Sequence, residues 1–374
     1  MTSMEMLPIV RADDAFATDL LVSLVWIQSV SGQEHQAVTH LLQAADALGL
    51  ETELDAAGNA IARRGIGEPQ AHIVLLGHID TVPGDVPVRV DGDILHGRGS
   101  VDAKGPLCAL LIAAARAELP AGVRIDVVGA VGEETPHSPG ANALVDRWRP
   151  DACIVGEPSG WDGITLGYKG RLVVEANVMQ DCAHGAGPDG SACDAMLSWW
   201  HEVRRIAADA SADRTGSFDT VQASVLSMDS ASDGMQSSAA LRAGFRLPLD
   251  LAPDDLQQRI EACAPEGMHL SFIGHERAVC TDRNDAVVRA LSSGVRRAGG
   301  RPRPKRKTGT ADMNVVGPRW RCPIAAYGPG DSALDHRPDE HISVTEYLRS
   351  IRVLTSALEA LATELVAPAQ EEVG

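Results

Sequence analysis

Five segments of the chain carry histidine and carboxylate side chains of the types that hold divalent metal ions. His78 and Asp80 stand in Gly-His-Ile-Asp-Thr-Val, and Asp102 in Gly-Arg-Gly-Ser-Val-Asp-Ala-Lys-Gly. Glu133 and Glu134 are adjacent, Glu157 lies in Gly-Glu-Pro, and His336 closes Asp-Ser-Ala-Leu-Asp-His. Carboxylates gathered in one place repel one another, whereas divalent cations turn the same arrangement into a stable site. Mixed imidazole and carboxylate donors suit zinc, with cobalt or manganese as substitutes. Two such ions sharing one carboxylate lower the pKa of a water from about 15.7 toward 7, which makes it a nucleophile at neutral pH. A lone histidine or a lone Glu-Glu pair usually means a surface or core residue, and His35, His40, His137 and His275 are read that way. What sets the five segments apart is that nearly all of them end an apolar run.

Those runs, Ile73 to Leu76, Ile125 to Val131, Ala152 to Val155 and Cys322 to Tyr327, look like buried strands. They alternate with helical periodicity: Leu21, Leu24 and Val25; Val38, Leu41, Leu42, Ala45 and Leu48, stopping at Gly49; and Leu107, Leu110, Leu111 and Ala114 after Pro106, which is read as opening its helix. Ser343 with Glu346 predicts a capping box before a last helix through Ile351, Leu354, Leu358 and Leu361. The expected fold class is α/β, a largely parallel sheet flanked by helices, and in such sheets ligands bind beyond the carboxyl ends of the strands. From about Leu166 to Phe272 the order of strand-like and helical pieces changes to that of a small α+β unit. The domains are therefore expected to be 1–165 with 276–374, carrying the metal site, and an insertion at 166–275.

A chain of 374 residues is long enough for two cores. Its formal charge of −18 argues against general affinity for nucleic acid. Arg296 to Lys307 breaks that trend with Arg296, Arg297, Arg301, Arg303, Lys305, Arg306 and Lys307 and no acid, readable as a solvated helix end or as a docking patch for an acidic partner. The N-terminus lacks the basic start and apolar stretch of a secretory signal, and no segment is long and apolar enough to span a bilayer. Seven cysteines without a Cys-x-x-Cys pair suggest reduced thiols, so a cytoplasmic location is expected.

Taken in order, these motifs resemble the co-catalytic zinc metallopeptidase family of aminoacylase, acetylornithine deacetylase and carboxypeptidase G, over nearly the whole chain. The resemblance implies two metal ions, with Asp102 bridging both, His78 and Glu157 completing one, and Glu134 and His336 the other. It implies Glu133 as general base, Asp80 behind His78, and a cis peptide bond between Asp102 and Ala103. The inserted region is similar to that family's dimerisation or lid domain, which implies a homodimer. His184, in His-Gly-Ala-Gly-Pro, matches a residue that stabilises the reacting oxyanion in the partner's active site, although the residues after it depart from the family order. Arg246 and the Gly309-Thr310-Ala311-Asp312 turn match positions that hold a substrate carboxylate, the alternative for Arg246 being a strand-edge salt bridge.

Gly156 to Trp161, Leu166 to Arg171, Lys307 to Asn314 and Tyr327 to Ser332 look most like the lysine and ornithine hydrolases that act on an amino-group carrier protein. That resemblance implies release of lysine or ornithine from the C-terminal glutamate of a small acidic carrier, and gives the Arg296 to Lys307 run a purpose. Two other readings remain: a deacylase of free acetylornithine, acetyl-lysine or succinyl-diaminopimelate, and a non-catalytic carrier-binding protein.

Overall fold

In the computed structural model, which describes residues 11–65, 67–182 and 190–367, the chain forms two compact units. Of the described residues, the larger takes those up to Gly167, Thr281–Lys305 and those from Ala311; the smaller takes those of Tyr168–Cys280 and Arg306–Thr310.

The larger unit is built on a sheet whose middle is parallel. Strand Ala71–His78 pairs in parallel with Val123–Ala130 on one side and Ala152–Gly156 on the other, and Ile324–Ala326 adds in parallel to Ala152–Gly156. Antiparallel strands flank this middle: Ala60–Arg64 and Glu51–Leu54 on one side, Gly163–Tyr168 on the other. Ile73 and Leu75 are buried, and so are Val74 and Leu76, which point the opposite way. A strand covered on both faces reads as an unbroken apolar run, which is why these strands are visible in the sequence. Helices Asp14–Trp26, His35–Ala47, Lys104–Arg116, Ala286–Arg297 and Val344–Val366 supply the core on one face. The fold is the expected α/β class.

One row of glycines sets how closely a helix approaches that sheet. Gly77 stands beside Gly129 on one neighbouring strand and Gly156 on the other. A Cβ on Gly77 would lie 3.2 Å from Leu107, and one on Gly156 would lie 2.6 Å from Leu110. Helix Lys104–Arg116 therefore rests directly on the sheet, and its N-terminus follows Asp102.

Two local expectations are corrected. Pro106 does not open its helix, which begins at Lys104; proline is tolerated two positions further in because first-turn N–H groups have no intrahelical acceptor. Ser343 caps the last helix by accepting from the Glu346 N–H, but Glu346 does not return the bond. Its Oε1 instead accepts from the N–H groups of Trp161, at 2.9 Å, and Gly330, at 3.3 Å.

The smaller unit is a four-stranded antiparallel sheet in the order Gln222–Ser232, Gln236–Leu247, Gly170–Asp181, Met268–Glu276. Helices Ala192–Asp209 and Pro253–Ala262 bury Met196, Trp199, Val203, Leu256 and Ile260 against Leu172, Val174, Leu241 and Phe245. Arg306–Thr310 joins this unit because Arg306 stacks on Phe218 at 4.6 Å and Thr310 accepts from Arg246. Among the described residues no helix is long and apolar enough to cross a membrane.

Candidate metal centre

The four parallel strands all end at one edge of the sheet, and each hands over ligand-type side chains there. His78 is the last residue of Ala71–His78, Glu133 and Glu134 follow Val123–Ala130, Glu157 follows Ala152–Gly156, and His336 comes ten residues after Ile324–Ala326. Asp102 arrives from a loop, joined to Ala103 by a cis peptide bond just before helix Lys104–Arg116.

Asp102 is the hub. Its Oδ1 lies 3.2 Å from His78 Nε2 and its Oδ2 lies 3.1 Å from His336 Nε2, so each carboxylate oxygen faces a different imidazole. His336 Nε2 is also 2.9 Å from Glu134 Oε1. Two ligands at about 2.0–2.2 Å from one tetrahedral ion stand about 3.3–3.6 Å apart, so this donor set needs a few tenths of an ångström of adjustment to fit. The donor atoms of Asp102, Glu134 and His336 lie within 4.8 Å of one another, as do those of His78, Glu133 and Glu134. Glu157, though buried, belongs to neither trio.

The electrostatics favour cations. Burial pushes the Asp102 carboxyl up, but hydrogen bonds to His336 and His78 prevail and hold it well below the usual range. Hydrogen bonds to Asp102 and Glu134 raise His336 to about 10, against its partial burial. His78 is buried, which opposes its charge, yet Asp102 and Asp80 hold it well above the ordinary imidazole value. Glu133 is driven well above the usual carboxylate range by burial, and Glu157, Asp312 and Glu134 add to that against the pull of His78.

Asp80 does more than stand behind His78. The His78 Nδ1 faces the Asp80 carbonyl oxygen at 3.0 Å and the carboxylate at 3.5 Å. A carbonyl only accepts, so Nδ1 carries the proton and Nε2 is turned toward Asp102. The Asp80 carboxylate accepts from the N–H groups of Glu133 and Glu134, at 3.0 and 3.1 Å, and from the Ser31 hydroxyl at 2.7 Å. One buried side chain thus fixes the Glu133–Glu134 backbone. Asp312 ends the turn expected to hold the substrate carboxylate, yet its own carboxyl is buried, raised to about 7 by that burial, and near enough to act on Glu133. Neither role had a signal in residue type or spacing.

Arg246, Gly309 and Thr310 lie in the smaller unit, where Arg246 Nη1 donates to Thr310 Oγ1 at 3.0 Å. The segment with His184 lies outside the described residues.

The profile of peptidase family M20/M25/M40 matches residues 74–360. The LysW-lysine hydrolase of Deinococcus radiodurans is 46% identical over 356 residues, 93% of this chain and 98% of that protein. A putative LysW-lysine/LysW-ornithine hydrolase of Thermococcus kodakarensis is 39% identical over 345 residues, 92% and 91% of the two chains. Among solved structures, the M20 family metallo-carboxypeptidase Sso-CP2 of Sulfolobus solfataricus superposes with a TM-score of 0.76 at 17% identity, over 92% of this chain and 99% of that one. The YXEP protein of Bacillus subtilis, described as a dinuclear metal-binding peptidase, superposes with a TM-score of 0.67 at 15% identity, over 94% and 99%. With this match across most of its length, the chain belongs to peptidase family M20/M25/M40.

Proposed function

We propose that this chain is a metal-dependent amide hydrolase that releases lysine or ornithine from the C-terminal glutamate of a small acidic amino-group carrier protein. The observation that carries the reading is Asp102, whose two oxygens face two different imidazoles at 3.2 and 3.1 Å, an arrangement that would let one carboxylate serve two ions. His78, Asp102 and Glu157 would hold one ion, and Asp102, Glu134 and His336 the other, with zinc as the metal the donors favour and cobalt or manganese as substitutes. When bound, such a pair polarises a carbonyl and makes water acidic. Glu133 takes the proton from the attacking water and returns it to the leaving amine nitrogen. Asp80 keeps Glu133 and Glu134 in place through their N–H groups. His184 would stabilise the developing oxyanion, and Arg246 with the Gly309–Thr310 turn would hold the substrate carboxylate.

The carrier is approached through the Arg296 to Lys307 run. Arg296 and Arg301 are exposed, while Arg303 is held by Asp162 at 3.0 Å and Arg306 lies 3.4 Å from Asp219. These pairs hold the cations in place and reduce the net attraction, so docking rests most on Arg296, Arg297 and Arg301, Arg297 being bonded to the neutral Ser356 hydroxyl. A homodimer is supported by edge strand Gln222–Ser232, which exposes Val225, Leu226 and Met228. Cytoplasmic residence fits the absence of a disulfide among the described cysteines.

The test is incubation of zinc-loaded protein with carrier-linked lysine, carrier-linked ornithine and free N-acetylornithine, with mass analysis of the released amine. Release from a carrier-linked substrate is expected. Turnover of N-acetylornithine alone would replace this reading with a small-molecule deacylase, and no turnover by protein carrying two ions would favour a binding role.

A further inference from the structure

The loop that carries Asp102 is pressed tightly against its surroundings. It turns through Gly97 and Gly99, at φ 155° and 82°, where an added Cβ would lie 2.3 Å from Val25 and 2.8 Å from Thr81. What fixes the far side of the loop is one carboxylate from a distant part of the sequence. Glu340 is fully buried. Its Oε1 accepts the backbone N–H of Val101 at 2.9 Å and of Asp102 itself at 3.1 Å, while its Oε2 accepts from Arg98 Nη1 at 2.8 Å. The Glu340 carbonyl accepts the Gly97 N–H at 3.2 Å, so the residue grips both ends of the loop. Arg98 is itself tied down, because its Nε donates to the Gly84 carbonyl at 3.0 Å.

Glu340 also stands four residues after His336, immediately before strand His341–Ser343, which pairs with Ile94–His96 on the approach to the Asp102 loop. The segment that presents His336 and the loop that presents Asp102 are therefore joined through this side chain. A charged carboxylate in a dry interior is unfavourable unless its oxygens are fully bonded, and here each bond runs to the backbone or arginine of one loop.

We propose that Glu340 is a positioning residue of the metal centre, which fixes Asp102 relative to His336 by holding the loop of one to the segment of the other. The proposal rests on Asp102 and His336 being ligands. It differs from a general stabilising role in what it predicts: removing Glu340 alters the affinity and coordination of bound metal, not only the melting temperature.

The experiment is a chelator-competition titration with Zn2+ of Glu340→Ala, Glu340→Gln, Asp102→Asn and unaltered protein, with visible absorption spectra of the Co2+-loaded forms. Loss of an outer partner costs about 10–100-fold in metal affinity, and that weakening is expected for Glu340→Ala. Glutamine keeps an acceptor for the two N–H groups but turns an amide donor toward Arg98, so about threefold or more is expected for Glu340→Gln, between unaltered protein and alanine. Both variants should change the Co2+ bands. Unchanged affinity with unchanged Co2+ bands in a folded variant overturns the proposal, and Glu340→Gln alone decides it if the alanine variant does not fold. If unaltered protein binds fewer than two ions, or Asp102→Asn binds as well as unaltered protein, the ligand assignment itself fails and Glu340 loses its role with it.

Discussion

Replacing Glu133 with glutamine separates a proton-transferring base from a ligand. The geometry makes the question sharp, because the Glu133 donor atoms lie within 4.8 Å of those of His78 and Glu134, close enough for metal binding. As a base, Glu133 contributes through proton transfer only, and such groups are worth about 10²–10⁴ in rate, or about 2.7–5.4 kcal/mol of barrier. Glutamine keeps the shape and the backbone bond to Asp80 at 3.0 Å but cannot accept a proton from water. Glu133→Gln loaded with zinc should therefore lose about two to four orders of magnitude in kcat while retaining two ions per chain. Released lysine measured by mass spectrometry and zinc measured by plasma emission check both quantities in one preparation. The pH profile adds a sign: the base must be ionised, and burial holds its carboxyl above the usual range. Activity of the unaltered enzyme should fall on acidification as Glu133 takes up a proton, an uptake that bound cations oppose, and the variant's residual activity should lack this limb. Loss of one ion in Glu133→Gln, or a kcat within tenfold of the unaltered enzyme, would refute the assignment.

Four further outcomes are expected. His336 is raised to about 10 and His78 well above its ordinary value, so both are protonated near neutral pH before metal binds; zinc binding to metal-depleted protein at pH 7 should release about two protons from these imidazoles and more from the raised carboxyls of Glu133 and Asp312, with affinity increasing as pH rises. Calorimetry in buffers of different ionisation enthalpy measures this, and no net release would contradict it. By the same shifts, these imidazoles stabilise metal-depleted protein fully below about pH 6.5, the unfolded value, and that contribution disappears as pH rises toward about 10. Gly156→Val would force a side chain into Leu110, where a Cβ alone lies at 2.6 Å; a destabilisation of about 1–3 kcal/mol in denaturant melts is expected, with weaker zinc binding, and an unchanged midpoint would contradict the close helix–sheet contact. Charge reversal at Arg296, Arg297 and Arg301, the exposed cations of the run on which docking most rests, should raise KM for carrier-linked substrate about tenfold or more at low salt and less at high salt. An unchanged KM would remove the docking role.

The parallel strands were legible because each is buried on both faces, so Ile73–Leu76 and Ala152–Val155 had no polar partner to interrupt them. Their acids were legible because a strand end is a short, local feature: His78, Glu133 and Glu157 each follow their run within three residues. What escaped were partnerships between distant segments. Glu346 has the spacing of a capping box, yet its carboxylate satisfies Trp161 and Gly330, which no local pattern announces. Glu340 and Asp80 look like ordinary acids in sequence, and only the folded chain turns them onto the backbone of the Asp102 loop and of Glu133–Glu134. The return of Arg306–Thr310 to the smaller unit was hidden for the same reason, since Phe218 and Arg246 lie far from it in sequence.

Everything above depends on Asp102 lying between two cations. Anomalous diffraction from crystals of the zinc-loaded protein, recorded above and below the zinc edge, locates those ions directly. Two peaks about 3.5–4 Å apart, one near each Asp102 oxygen, are expected. A single peak, or peaks remote from Asp102, would contradict the shared carboxylate and the hydrolytic mechanism built on it.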